Sequence, residues 1–183
     1  MKLPVLLAAA AVAALSLAAV QDAGAAPKPK AANAAANPNG TETTEGLVTG
    51  VTLADMYQIE AGHIAQAKAQ SSAVKDFGKQ MVTEHTAMSN QMKHIFVATN
   101  TKIPTELGAR GKRMINDLNA ATPEAFDKLY LSQQLSAQAG ELTLLSAYAE
   151  GGESSDIRPA AANAVPKVKA HLAKVHELQA ELK

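Results

Sequence analysis

Two histidines and a few carboxylates occupy positions of this chain where helical periodicity asks for apolar side chains, and they are the residues that could do chemistry. His85 lies in the run Val74, Phe77, Met81, His85, Met88, Met92, Ile95, Phe96, which at ~100° per residue shares a sector of roughly 100° on one helix face. His171 lies in a second such run: Ile157, Ala161, Ala164, Val168, His171, Leu172, Val175, Leu178, Leu182. Glu60 falls among Leu53, Met56, Tyr57, Ile64 and Ala67, and Gln138 among Phe126, Tyr130, Gln134, Glu141, Leu145 and Tyr148, flanked by Leu131 and Leu142. Counted along their helices, all four sit at similar heights, so Glu60, His85, Gln138 and His171 are expected to meet in one central polar layer. Burying such groups without partners is costly, so they should bond one another, hold water or hold a metal ion.

Carboxylates and imidazoles projected inward from four helices can ligate metal. A dinuclear site needs a Glu-x-x-His pair on each of two helices, because residues three apart share a face. Only Glu60-Ala61-Gly62-His63 has that spacing, so the expected metal ligands are those of a mononuclear site: Glu60, His85 and His171, with His63, Glu84 and Glu141 as further candidates. Glu84 and His85 are adjacent and point about 100° apart. The leading reading is a purely structural network of buried polar groups, with the mononuclear site as its alternative. His94 and His176 fall off the apolar stripes and read as solvated, whereas His63 lies at the flank of its stripe. The chain has no Cys, which excludes disulfides, thiolate nucleophiles and thiolate-held metals. It also lacks a Gly-x-Ser-x-Gly elbow and a phosphate-binding glycine loop, so nucleophilic catalysis has little to draw on. Met56, Met81, Met88 and Met92 recur at helical spacing, which packing explains better than copper binding. No cofactor is expected beyond a divalent metal ion.

The elements that must position these residues are helices. The 183 residues suit one domain, and an apolar share of 47% that is mostly alanine, with only 3% aromatics, favours helices packed through small side chains. Lys plus Arg equals Asp plus Glu at 17 each, so no net charge steers the chain onto nucleic acid or an anionic membrane.

Residues 1–25 carry the pattern of a secretory signal peptide: Lys2, an uncharged apolar run from Leu3 to Val20, and Ala23-Gly24-Ala25 as a small-x-small cleavage signal. Cleavage after Ala25 would leave an exported protein, periplasmic or secreted, with no stable membrane insertion; an uncleaved anchor is the alternative reading. Residues 26–46, rich in Ala, Pro, Asn, Gly and Thr, read as a disordered tether, and residues 47–183 as the folded domain. The first helix is expected from about Thr52, capped by Thr52 or Thr49, to Gln70, and the second from Ser72 to Thr99. Pro104 and Gly108 mark a break before a short connecting helix over 106–120. Thr122-Pro123-Glu124 starts a long helix that ends at Gly151-Gly152. The last helix begins near Ser155 or Asp156, and Pro166 predicts a kink or restart within it.

A set of motifs adds to this reading. Glu60 with Gly62, the run Val74-Lys75-Asp76-Phe77-Gly78-Lys79-Gln80-Met81-Val82-Thr83-Glu84-His85-Thr86, the run Phe126-Asp127-Lys128-Leu129-Tyr130-Leu131, and Pro166 with His171-Leu172 resemble the bacterial exported family catalogued as domain of unknown function 4142. The resemblance spans about Leu53 to Leu178. It implies an all-α, ferritin-like antiparallel four-helix bundle with a short connecting helix, behind a signal peptide, with no established activity. Where members of that family commonly carry a histidine, eight residues after the tyrosine, this chain has Gln138, a poorer ligand for a transition metal.

Two functions follow as expectations. One is an exported bundle with a structural, binding or stress-related role in the cell envelope, for which helical self-association is the partner class left open. The other is a ferritin-like protein that binds a metal ion, or does redox chemistry, at the central layer.

Overall fold

A computed structural model describes residues 42–182, and within them five α-helices and no strand. They are α1 (Thr44–Lys68), α2 (Ser72–Val97), α3 (Ala109–Ala120), α4 (Pro123–Gly151) and α5 (Arg158–Glu181). The expected signal peptide, its cleavage site and most of the expected tether lie outside the described residues.

Where each helix starts follows from which side chain or carbonyl satisfies its first amides. The start of α1 is eight residues earlier than the expected Thr52, because Thr43, not Thr49 or Thr52, is its N-cap, its hydroxyl accepting the Gly46 N–H at 3.0 Å. Residues 44–46, expected to belong to the tether, are therefore helical. Gly108 caps α3, which begins three residues later than expected. At α4, Thr122 is the N-cap and Pro123 opens the helix, but the Thr122 carbonyl rather than its hydroxyl takes the Ala125 and Phe126 amides. The chain leaves α2 at Val97, before the expected Thr99, and Asn100 adopts the left-handed conformation (φ 56°) that asparagine tolerates. Pro166 does not restart α5, which runs unbroken from Arg158 to Glu181 with the ring on its exposed side.

The register of α1 on α2 is set by two glycines. A Cβ on Gly62 would stand 2.6 Å from the Gly78 carbonyl oxygen, and one on Gly78 would stand 2.9 Å from the Gly62 carbonyl oxygen. The two backbones thus touch in a way that only glycine permits at both positions. The pairings of Gly62 with Gly78 and of Asp55 with His85 run in opposite directions, so the hairpin is antiparallel. Tyr57 to Gln133 and Thr44 to Tyr148 make α1 antiparallel to α4 as well. Phe77 to Tyr130 and His85 to Gln138 advance together, which makes α2 and α4 the parallel diagonal pair. The chain therefore runs up, down, down, up, and the single long crossover, containing α3, packs on α1 and α4.

The core has two apolar parts with a polar layer between them. One part holds Ala61, Ala65, Phe77, Met81, Phe126, Tyr130, Leu131 and Val175; the other holds Val48, Val51, Met88, Met92, Leu145, Tyr148 and Val168. On each long helix one member of the polar layer, Asp55, His85, Gln138 or His171, sits between the last member of one part and the first of the other.

Candidate functional site

Seven residues before Gly62 stands Asp55, and seven residues after Gly78 stands His85. The glycine contact thus brings these two side chains together two turns up the bundle, about 10 Å away at 1.5 Å per residue. His85 Nδ1 and Asp55 Oδ1 are 2.8 Å apart, and both residues are buried. From α4, Gln138 places its amide nitrogen 3.4 Å from His85 Nε2 and 3.2 Å from Met81 Sδ. From α5, the His171 ring lies 5.2 Å from the His85 ring, centroid to centroid. Glu141, one helical turn from Gln138, completes a group with Asp55 and His85 whose ligand atoms all lie within 4.8 Å of one another. Gln58 and Gln134 are buried as well.

Three of the four residues expected in the central layer, His85, Gln138 and His171, are buried in this cluster. Glu60 is not among them. It is exposed and lines an outer groove together with His63, Glu106 and Lys112, so neither it nor His63 faces His85 or His171. The buried acid of α1 is Asp55, about 140° round the helix from Glu60. Three large apolar side chains of α1 mislead here, because Leu53, Met56 and Ile64 are only partly buried and turn toward the crossover, where Leu107 and Met114 also pack. Beside the buried Leu47, Tyr57 and Ala61, the face turned to the other long helices carries small and polar residues: Val48, Val51, Asp55, Gln58, Gly62, Ala65. Their alternating spacing of three and four is the signal that could have found Asp55. Glu141 belongs to the cluster, and Glu84 stands at its edge, accepting a hydrogen bond from His171 Nε2 at 2.9 Å.

The electrostatics follow from burial. Burial pushes the Asp55 carboxyl up from 3.8 to about 8 and the Glu141 carboxyl up to about 7, the latter against the pull of His85. His85 is held below its ordinary value by burial. At neutral pH the Asp55–His85 pair therefore carries no net charge, with one proton between Oδ1 and Nδ1. Burial also holds His171 down, despite its bond to Glu84. For Glu84, burial pulls upward, but the bonds from His171 and Gln80 outweigh it and keep the carboxylate ionised. His171 then donates through Nε2 and keeps its lone pair on Nδ1.

These groups do not satisfy one another. Asp55 Oδ2, both Glu141 oxygens, Gln138 Oε1, His171 Nδ1 and both amide ends of Gln58 and of Gln134 are buried with no hydrogen-bond partner in the protein. Each such group carries a desolvation penalty of ~1–3 kcal/mol. The donor set of one imidazole nitrogen and two carboxylates suits a divalent transition metal, and tetrahedral bonds of about 2.0–2.2 Å, which place ligand atoms roughly 3.4 Å apart, require these side chains to close in on the ion from their spacing of up to 4.8 Å. The Asp55–His85 pair has no nucleophile to activate, since the group beyond Nε2 is the Gln138 amide.

Residues 29–178 match the family described as Domain of unknown function (DUF4142). The chain belongs to this family. No curated protein and no solved structure matches it. Within this DUF4142 chain, the buried cluster draws on all four long helices, and its members lie inside the matched residues. Two surface grooves of the described residues, one along α1 and the crossover and one between α4 and the end of α5, are lined by none of them. None of the described helices is long and apolar enough to cross a membrane.

Proposed function

We propose that this protein is an exported helical bundle that holds one divalent transition-metal ion in its core, on Asp55, His85 and Glu141. The observation that carries the reading is the set of buried, partnerless carboxylate oxygens that converge on His85. Gln138 Oε1 is a further oxygen donor in the same layer. A ferritin-like reading of the bundle is supported by its one long crossover and by ligands that project inward from facing helices. Export is supported by the Lys2 to Ala25 pattern. Binding and retention in the cell envelope, rather than turnover of a substrate, fit a buried site with no nucleophile among its residues.

Ion binding must displace the protons that burial holds on Asp55 and Glu141, so it releases protons as it proceeds. The rival reading, favoured by the Asp55–His85 hydrogen bond, is a metal-free polar layer that fixes helix register. Thermal melts separate the two. Wild type should gain about 2.7 kcal/mol at a free ion concentration 100 times Kd, while Asp55→Asn and Glu141→Gln should gain nothing. The ions are zinc, manganese and iron(II), each compared with chelator, alongside elemental analysis of protein from its native source. Identical melts with every ion and with chelator, and no co-purifying metal, would refute the proposal. Intact mass of the native protein checks export: the chain should begin near Ala26.

A further inference from the structure

Among the residues of the polar cluster, one reaches solvent. Glu84 is 29% exposed, whereas its bonded partner His171 and its sequence neighbour His85 are fully buried. The side chains therefore form a row from outside to inside: Glu84 Oε2 bonded to His171 Nε2 at 2.9 Å, the His171 ring 5.2 Å from the His85 ring, and His85 on Asp55. Nδ1 of His171 is buried and has no partner, so that imidazole has a donor atom the fold does not use. The Glu84 carboxylate is the anionic end of the row, with Gln80 Nε2 on its other oxygen at 2.9 Å. Lys167 Nζ stands 3.9 Å from Glu84 Oε2 and is the one cation among the described residues in reach of the pair.

We infer that Glu84 and His171 form a second, transient cation site, through which a divalent metal ion enters the core site between α2 and α5. This rests on the metal-binding reading above and adds where the ion first lands. The geometry supports this seam because Glu84 offers a charge that solvent can reach, while every other carboxylate of the cluster is sealed inside the bundle. At the level of the layer the adjoining α1–α2 seam is spanned by the Asp55–His85 hydrogen bond, and two turns away by the Gly62–Gly78 backbone contact. An arriving ion takes the place of the His171 Nε2–H at Glu84, the ring changing to the Nδ1–H tautomer on its unpartnered nitrogen as the Nε2 proton leaves to solvent and one is taken up at Nδ1; Nε2 is then the next ligand, and the ion passes on to His85, Asp55 and Glu141.

A site that is only passed through alters the rates of entry and exit by the same factor and leaves Kd unchanged, whereas a resting ligand alters Kd. The probe is cobalt(II), whose visible absorption reports both the equilibrium and, by stopped flow, the rates. Glu84→Gln keeps the shape and the acceptor for His171 but removes the charge. It should slow association and dissociation together by about 10-fold, within the range spanned by electrostatic steering. Lys167→Gln removes the opposing cation and should speed both. Glu60→Gln, on the exposed outer face, should leave both unchanged. Rates equal to wild type in Glu84→Gln would overturn the entry route while leaving the core site standing. A raised Kd with an unchanged association rate would overturn it too, by making Glu84 a resting ligand. Failure of the wild type to bind cobalt would overturn both this route and the core site.

Discussion

Alanine in place of glycine normally strengthens a helix by about 1 kcal/mol, and at Gly62 the structure reverses that sign. A Cβ there would stand 2.6 Å from the Gly78 carbonyl oxygen and 2.8 Å from Val82 Cγ2. Carbon and carbonyl oxygen settle at about 3.3 Å or more, so α1 and α2 would have to part by roughly 0.7 Å. The carbonyl is helix backbone and cannot turn away. Overpacking of this kind costs ~1–3 kcal/mol, and two contacts of this closeness place it at the upper end, so Gly62→Ala should be destabilising by about 1–2 kcal/mol net. Gly140 is the internal control: it is helical and exposed, and a Cβ there meets nothing within 4 Å, so Gly140→Ala should stabilise by ~0.5–1 kcal/mol. In melts with chelator, these amount to a fall of about 4–8 °C for Gly62→Ala and a rise of about 2–4 °C for Gly140→Ala. The same separation lengthens the Asp55–His85 contact two turns away, so Gly62→Ala should also bind metal more weakly. If Gly62→Ala melts higher, as Gly140→Ala should, then the glycine contact does not set the register, and the account of how Asp55 meets His85 is wrong.

Two further outcomes follow from the same structure. In chelator, the folded state holds protons on Asp55 (about 8 against 3.8) and Glu141 (about 7 against 4.5) that the unfolded chain has lost, so stability should fall as pH rises from 6.5 to 8. His85 and His171, held below their ordinary value, act the other way below pH 6.5 and offset the carboxyls there, so the net fall shows above it; urea unfolding across pH 5–8 checks it, and a flat or rising curve above 6.5 would contradict buried, partnerless carboxyls. Asp127 of α4 accepts the Gln70 and Ser71 amides at 3.0 and 2.8 Å and so ties down the turn between α1 and α2. Asp127→Ala should cost ~1–3 kcal/mol and Asp127→Asn less, read by urea unfolding, and equal stability of the two variants would show that the acceptor is not what matters.

For α2, α4 and α5 the sequence alone determined which face turns inward, because each buries a stripe of large apolar side chains and the polar residues Met81 to Met88, Tyr130 to Leu145 and Val168 to Val175 enclose have nowhere else to go. His85, Gln138 and His171 were legible for that reason, as was the break at Gly151-Gly152. The inward face of α1 was decided by tertiary structure. That helix is covered on two sides, by the bundle and by the crossover that carries α3, and three of its large apolar residues, Leu53, Met56 and Ile64, serve the crossover side. Hydrophobic periodicity ranks faces by side-chain size, so it chose the side of Glu60. What turns Asp55 toward His85 is a backbone contact between Gly62 and Gly78, two residues with no side chain to register in a hydrophobic pattern, on helices that meet only once the chain has folded.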